Sequence, residues 1–185
     1  GATDGLNLSN SYLLENSFDW KGVLSEPSPQ WHDSLKTNRK NSTIITDCIW
    51  KETGKKLDFF MSDNGEYSTI NDFIENEIKS IPGNTRARKK GGKLVSVETI
   101  SLNDVIKKYF NDSCPSYISI DTEGSEYEIL KAFDLNKYRP KLFTIEHNFT
   151  ENETKIDEHL IINGYVRIFK KLTTFDAWYV PFEYL

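Results

Sequence analysis

The chain has 185 residues, of which 37% are hydrophobic and 28% charged, with a formal net charge of -5. This length supports one domain with its own core, and no apolar stretch approaches the roughly 20 residues that cross a bilayer, which excludes a helical membrane span. The acidic balance argues against a broad nucleic-acid surface.

The first residues, Gly1-Ala2-Thr3-Asp4-Gly5, read as a glycine-containing turn between a strand and a helix, where a backbone without Cβ lets a ligand come close. A short strand from Gly22 to Glu26 follows, stopped by Pro27. Trp31 and Leu35 at i and i+4 place a helix over Pro29 to Asn38. Apolar and β-branched runs predict strands at Thr43 to Ile49 and Lys56 to Ser62. From Asn71 to Lys93 an acidic helical stretch passes through Ile81-Pro82-Gly83-Asn84 into Arg86, Arg88, Lys89, Lys90 and Lys93. It reads as an insertion, either a lid over a site or a solvated basic loop. Ser101, with Asp104 three residues on, caps a helix over Leu102 to Phe110.

The second half repeats the alternation. Tyr117 to Asp121 is an apolar strand that ends in the acidic turn Asp121-Thr122-Glu123-Gly124-Ser125-Glu126, with a helix over Tyr127 to Phe133. A strand over Leu142 to His147 and a helix over Ile156 to Ile162 follow, the latter ended by Asn163-Gly164. Tyr165 to Lys170 and Ala177 to Val180 form an antiparallel hairpin at the sheet edge. Strands alternating with helices define an α/β domain with a mostly parallel, Rossmann-like sheet, the whole chain forming one domain.

In such sheets ligands bind at the carboxyl ends of the strands. Gly1, Ala2, Asp4 and Gly5 are therefore candidate cofactor residues, and Glu26 can accept hydrogen bonds from both hydroxyls of a ribose, with Pro27 turning the chain away. Asp47 is a candidate for an exocyclic adenine amine, with Cys48 in its apolar wall, or else a plain strand-end carboxylate. The first turn lacks the third glycine of the dinucleotide fingerprint, and Asp4 would repel a diphosphate. A cofactor bearing an ammonium, such as S-adenosylmethionine, suits it better. Asp121, Glu146 and His147 end neighbouring strands and form either a catalytic group, with Asp121 also near the cofactor, or an oxygen-rich site for a divalent cation. Glu123 points toward the site, whereas Glu126 reads as a carboxylate at a helix start. His32, His159 and the four tryptophans read as packing residues. Cys48 and Cys114 read as reduced thiols, since two cysteines make no disulfide framework.

Three segments together resemble the FkbM-type S-adenosylmethionine-dependent methyltransferases. They are Gly1 to Gly5 with Ser9 to Glu15 and Trp20 to Pro29, then Ile120 to Leu130, and finally Asn163-Gly164-Tyr165 through Asp176 to Val180. The resemblance implies a class I methyltransferase fold, S-adenosylmethionine as cofactor, and methyl transfer to an oxygen of a sugar, polysaccharide or small glycosylated metabolite. It also implies a central strand before Gly1, so the expectation is that native residues precede Gly1 or that another segment takes that strand's place. The alternatives are a non-catalytic binding module that holds an anionic partner on the basic insertion, and a nucleic-acid methyltransferase, disfavoured by the net charge. No charged-then-apolar leader occurs in these residues, and the expected location is cytoplasmic.

Overall fold

Residues 1–74 and 86–185 are described by the computed structural model; the central part of the expected insertion, 75–85, lies outside them. Among the described residues, ten strands form three sheets. The smallest joins β1 (Val23–Ser25) to β2 (Thr43–Ile45) in parallel. A second has the order β3-β6-β4-β5, from β3 (Cys48–Ile49), β4 (Lys56–Ser62), β5 (Thr69–Ile70) and β6 (Gly92–Ile100). The third has the order β7-β8-β10-β9, from β7 (Tyr117–Ile120), β8 (Leu142–Glu146), β9 (Tyr165–Ile168) and β10 (Asp176–Pro181).

The α/β class holds, but the single, mostly parallel sheet does not. Among the described residues, parallel pairing is confined to β1 with β2, β3 with β6 and β7 with β8. The expected strand over Thr43 to Ile49 divides because its two ends pair with different partners, β1 and β6. The Ser25 hydroxyl donates to the Asp47 carbonyl at 2.6 Å and fixes the bend between them. Strand β6 begins in the last two residues of the expected insertion and runs beyond it: Val97 and Thr99 turn inward while Ser96 and Glu98 face solvent, the period of a half-buried strand. It pairs antiparallel with β4 along that strand's whole length. The C-terminal hairpin is present, with β10 lying between β8 and β9. No described strand bridges β1 and β7, which lie in separate sheets.

Helices α1 (Tyr12–Phe18), α2 (His32–Asn38), α3 (Leu102–Tyr109), α4 (Glu126–Lys131) and α5 (Asn152–Ile162) connect the strands. Ser101 caps α3 as its position predicts, its side chain accepting from the Asp104 amide at 3.1 Å. Gly164 ends α5 in a left-handed conformation, φ +83°. The main core combines Phe143, Ile145, Tyr165 and Tyr179 of the third sheet with Ile129 and Leu130 of α4 and Ile156 and Leu160 of α5. It continues to Phe59, Ile70 and Val97 of the second sheet. A smaller cluster of Ile45, Ile100 and Val105, with Val23 and Tyr109 against it, underlies the β1–β2 pair. Among the described residues no helix is long and apolar enough to cross a membrane.

Candidate functional site

A cavity of about 1150 Å³ runs from the first loop along β1 to the ends of β7 and β8. Gly1, Ala2, Glu26, Pro27, Cys48, Asp121 and Glu146 all line it, so most of the residues proposed from sequence converge. Asp4, Gly5, Asp47 and His147 are not among its lining residues.

Glu26 is buried at 3% exposure and organises one wall. One carboxylate oxygen accepts from the Thr3 amide and the other from the Ser28 amide, each at 2.8 Å. The Ala2 amide also donates to the Ser25 carbonyl, so the first loop lies against the end of β1. A Cβ on Gly1 would lie 2.7 Å from a Glu26 oxygen, which makes the carboxylate itself the reason for glycine there. Gly5, at φ +74°, is excluded from larger residues by Arg39 and Leu35, whose side chains would lie 2.5 Å from an added Cβ. Each of these glycines thus accommodates a neighbouring side chain, and Gly1 also lines the cavity.

Asp4 accepts from the Leu6 and Asn7 amides, both at 2.9 Å. Burial opposes its ionisation, yet these bonds outweigh burial and hold its carboxyl below the usual range. Behind the loop lies an ion pair that sequence patterns do not announce. Arg39, 2% exposed, donates Nε to Glu15 at 2.7 Å and its remaining nitrogens to the Gly5 carbonyl, the Ser9 hydroxyl and the Ser11 carbonyl and hydroxyl. Burial would raise the Glu15 pKa, but bonds from Ser42, Arg39 and the Asn41 amide prevail and lower it. Burial pushes the Cys48 thiol up to about 12, so it serves as a neutral wall.

The other wall is acidic. Asp121 follows β7, Glu146 ends β8, and Asp176 opens β10 directly opposite Glu146. Asp176 lines the cavity and was missed, because a strand-initial aspartate looks like an ordinary turn residue. Burial first, and then the charge of Asp121, raise its pKa. The Asn10 amide reaches Asp176 at 3.4 Å and the Ser119 hydroxyl at 3.3 Å, linking the first loop to this wall. The Gly1 nitrogen donates to the Asp121 carbonyl and makes a second link.

The acidic turn is held by its own residues. Glu126 accepts from the Thr122 amide at 2.7 Å and the Gly124 amide at 3.0 Å, in keeping with its reading as a helix-start carboxylate. Glu123, at φ +59°, pairs with Arg88 at 3.0 Å, whose Nε donates to the Tyr67 carbonyl at 2.8 Å. One arginine of the basic segment is therefore buried against the acidic turn, not solvated.

His147 turns away from the cavity. Its Nδ1 accepts from the Phe149 amide at 3.1 Å, its Nε2 lies 3.1 Å from Arg167, and burial lowers its pKa, favouring the neutral ring. The oxygen cluster that does form is Asp121, Glu123 and Glu146, with one ligand atom from each within 4.8 Å of the others. Arg88 already supplies positive charge to Glu123, so this donor set gives no reason to place a divalent cation, and no step is built on one.

The described residues thus form a crevice at strand ends lined by acidic side chains, the usual place for a ligand in an α/β fold. The sequence matches the family described as the Methyltransferase FkbM domain over residues 1–175. The chain belongs to this methyltransferase family. No curated protein and no solved structure matches it.

Proposed function

We propose that the protein is an S-adenosylmethionine-dependent O-methyltransferase acting on a hydroxyl of a sugar, polysaccharide or small glycosylated metabolite. The observation that carries this reading is the single cavity whose one wall holds Glu26 and the Gly1-Ala2 backbone and whose other holds Asp121, Glu146 and Asp176. S-adenosylmethionine carries a sulfonium and an ammonium, and an acidic cavity with an apolar side at Cys48 and Ile49 fits both ends of it. When bound, it supplies an electrophilic methyl group on a positively charged sulfur.

Each Glu26 oxygen accepts one backbone amide and retains a lone pair for a ribose hydroxyl. Ala2 and Pro27 shape the same wall. Asp121 would hold the acceptor hydroxyl at the strand end and take up its proton. Glu146 and Asp176 add negative potential that stabilises positive charge in the cavity.

Calorimetric titration with S-adenosylmethionine tests the cofactor half, and binding to the wild type that falls in Glu26→Ala is the expected result. Asp121→Asn should bind the cofactor normally and lower the release of S-adenosylhomocysteine by about 10²–10⁴-fold. Wild-type protein that binds no S-adenosylmethionine would overturn the proposal.

A further inference from the structure

Beside the acidic wall, two phenylalanines stand in the open. Phe149 is 60% exposed and Phe175 is 54% exposed, with ring centroids 5.8 Å apart in an edge-on arrangement. Exposing two such rings forfeits burial worth more than most side chains can offer, and the backbone holds them there at further cost. Asn148 and Phe149 have φ values of +45° and +53°, a left-handed region that side chains rarely adopt. The turn is enforced from below. The buried His147 ring accepts the Phe149 amide, its backbone amide donates to the Phe175 carbonyl at 2.9 Å, and its carbonyl accepts from the Thr150 amide.

On the cavity side, polar residues accompany Phe175. Phe175, Asn148, Asp176 and Glu146 line the cavity together. Asn148 is 6% exposed, and its Nδ2 has no hydrogen-bond partner among the described residues. A buried donor without an acceptor is uncommon in a folded chain and calls for an explanation. A ligand hydroxyl seated on Phe175 would provide one.

We infer that Phe149 and Phe175 form the acceptor platform, and that it takes an uncharged pyranose ring. A pyranose presents a C–H face of partial positive charge, suited to the negative face of an aromatic ring, and a rim of hydroxyls for Asn148 and Asp176. A lipid or a protein partner would meet a carboxylate and an amide where an apolar surface should continue. An acidic sugar would meet like charges at Asp176, Glu146 and Asp121. This inference deepens the methyltransferase reading and rests on it for the acceptor's place in the cavity.

The test is binding of methyl α-D-glucopyranoside, methyl α-D-mannopyranoside and glucuronate, followed by saturation-transfer difference NMR on the full chain. S-adenosylmethionine is titrated calorimetrically into the same samples. At least one neutral pyranoside should bind more tightly than glucuronate, and Phe149→Ala and Phe175→Ala should each weaken it about tenfold. Phe149→Leu should behave like the alanine variant, since it keeps an apolar side chain but loses the ring. Both positions are more than half exposed, so melting temperatures and cofactor affinity should stay at wild-type values. The platform is refuted if neither pyranoside binds the wild type, if the variants bind as the wild type does, or if glucuronate binds equally well. Wild-type protein that binds the cofactor but neither pyranoside refutes the platform alone. Pyranoside binding without cofactor binding supports the platform and refutes the methyltransferase reading.

Discussion

Asp176 shows how a single side chain at this site trades stability for position. Its carboxyl is raised above the ordinary value of 3.8 by burial and by Asp121, so the folded chain keeps a proton that the unfolded chain releases. Stability is then lost as the pH rises through the folded value, because the charged form is penalised only in the folded state. Asp176→Asn should therefore melt at a higher temperature at pH 7, by about 2–4 °C for each kcal/mol relieved, and the gain should vanish below pH 3.8. A melting curve unchanged at pH 7 would show that the site does not strain this carboxylate. At this scale the sequence was legible where a residue ends a strand, as at Glu26, Asp121 and Glu146. It was opaque where a role depends on direction. His147 follows Glu146 in the chain, and alternation along a strand sends consecutive side chains to opposite faces. The two therefore have different neighbours, Glu146 in the cavity and His147 against Arg167.

At the scale of elements, α1 is the piece that periodicity could not reveal. Of its residues only Glu15 is buried, while Leu13 and Phe18 are exposed at 61% and 63%, so no apolar stripe marks it. Its anchor is electrostatic: Glu15 meets Arg39 at the end of α2. Removing one partner of such a pair leaves an uncompensated buried charge. Glu15→Ala and Arg39→Ala should each cost about 3–5 kcal/mol in urea unfolding, and the double variant less than their sum. Additive losses would mean that the two side chains act independently. Strand β6 escaped for another reason, since its first residues, Gly92 and Lys93, continue a basic run that reads as loop. The capped helix α3 and the C-terminal hairpin were legible because their signals are local: a serine before a helical period, and two strands joined by a short turn.

For the whole molecule, the decisive property is the unequal support of its sheets. The second and third share one large core, whereas the β1–β2 pair rests on a small cluster and pairs with no other described strand. Two-stranded units of this kind open at low free energy. Native-state hydrogen exchange should show the amides of Val23–Ser25 and Thr43–Ile45 exchanging well before those of β8 and β10; equal protection would contradict this division. Sheet count and pairing were the part of the fold hardest to foresee, because which strand neighbours which depends on contacts distant in sequence. The cavity borders both the weakly held pair and the well-held sheet. A molecule seated in it would act as a rivet between them, making ligand occupancy part of the protein's own mechanical continuity.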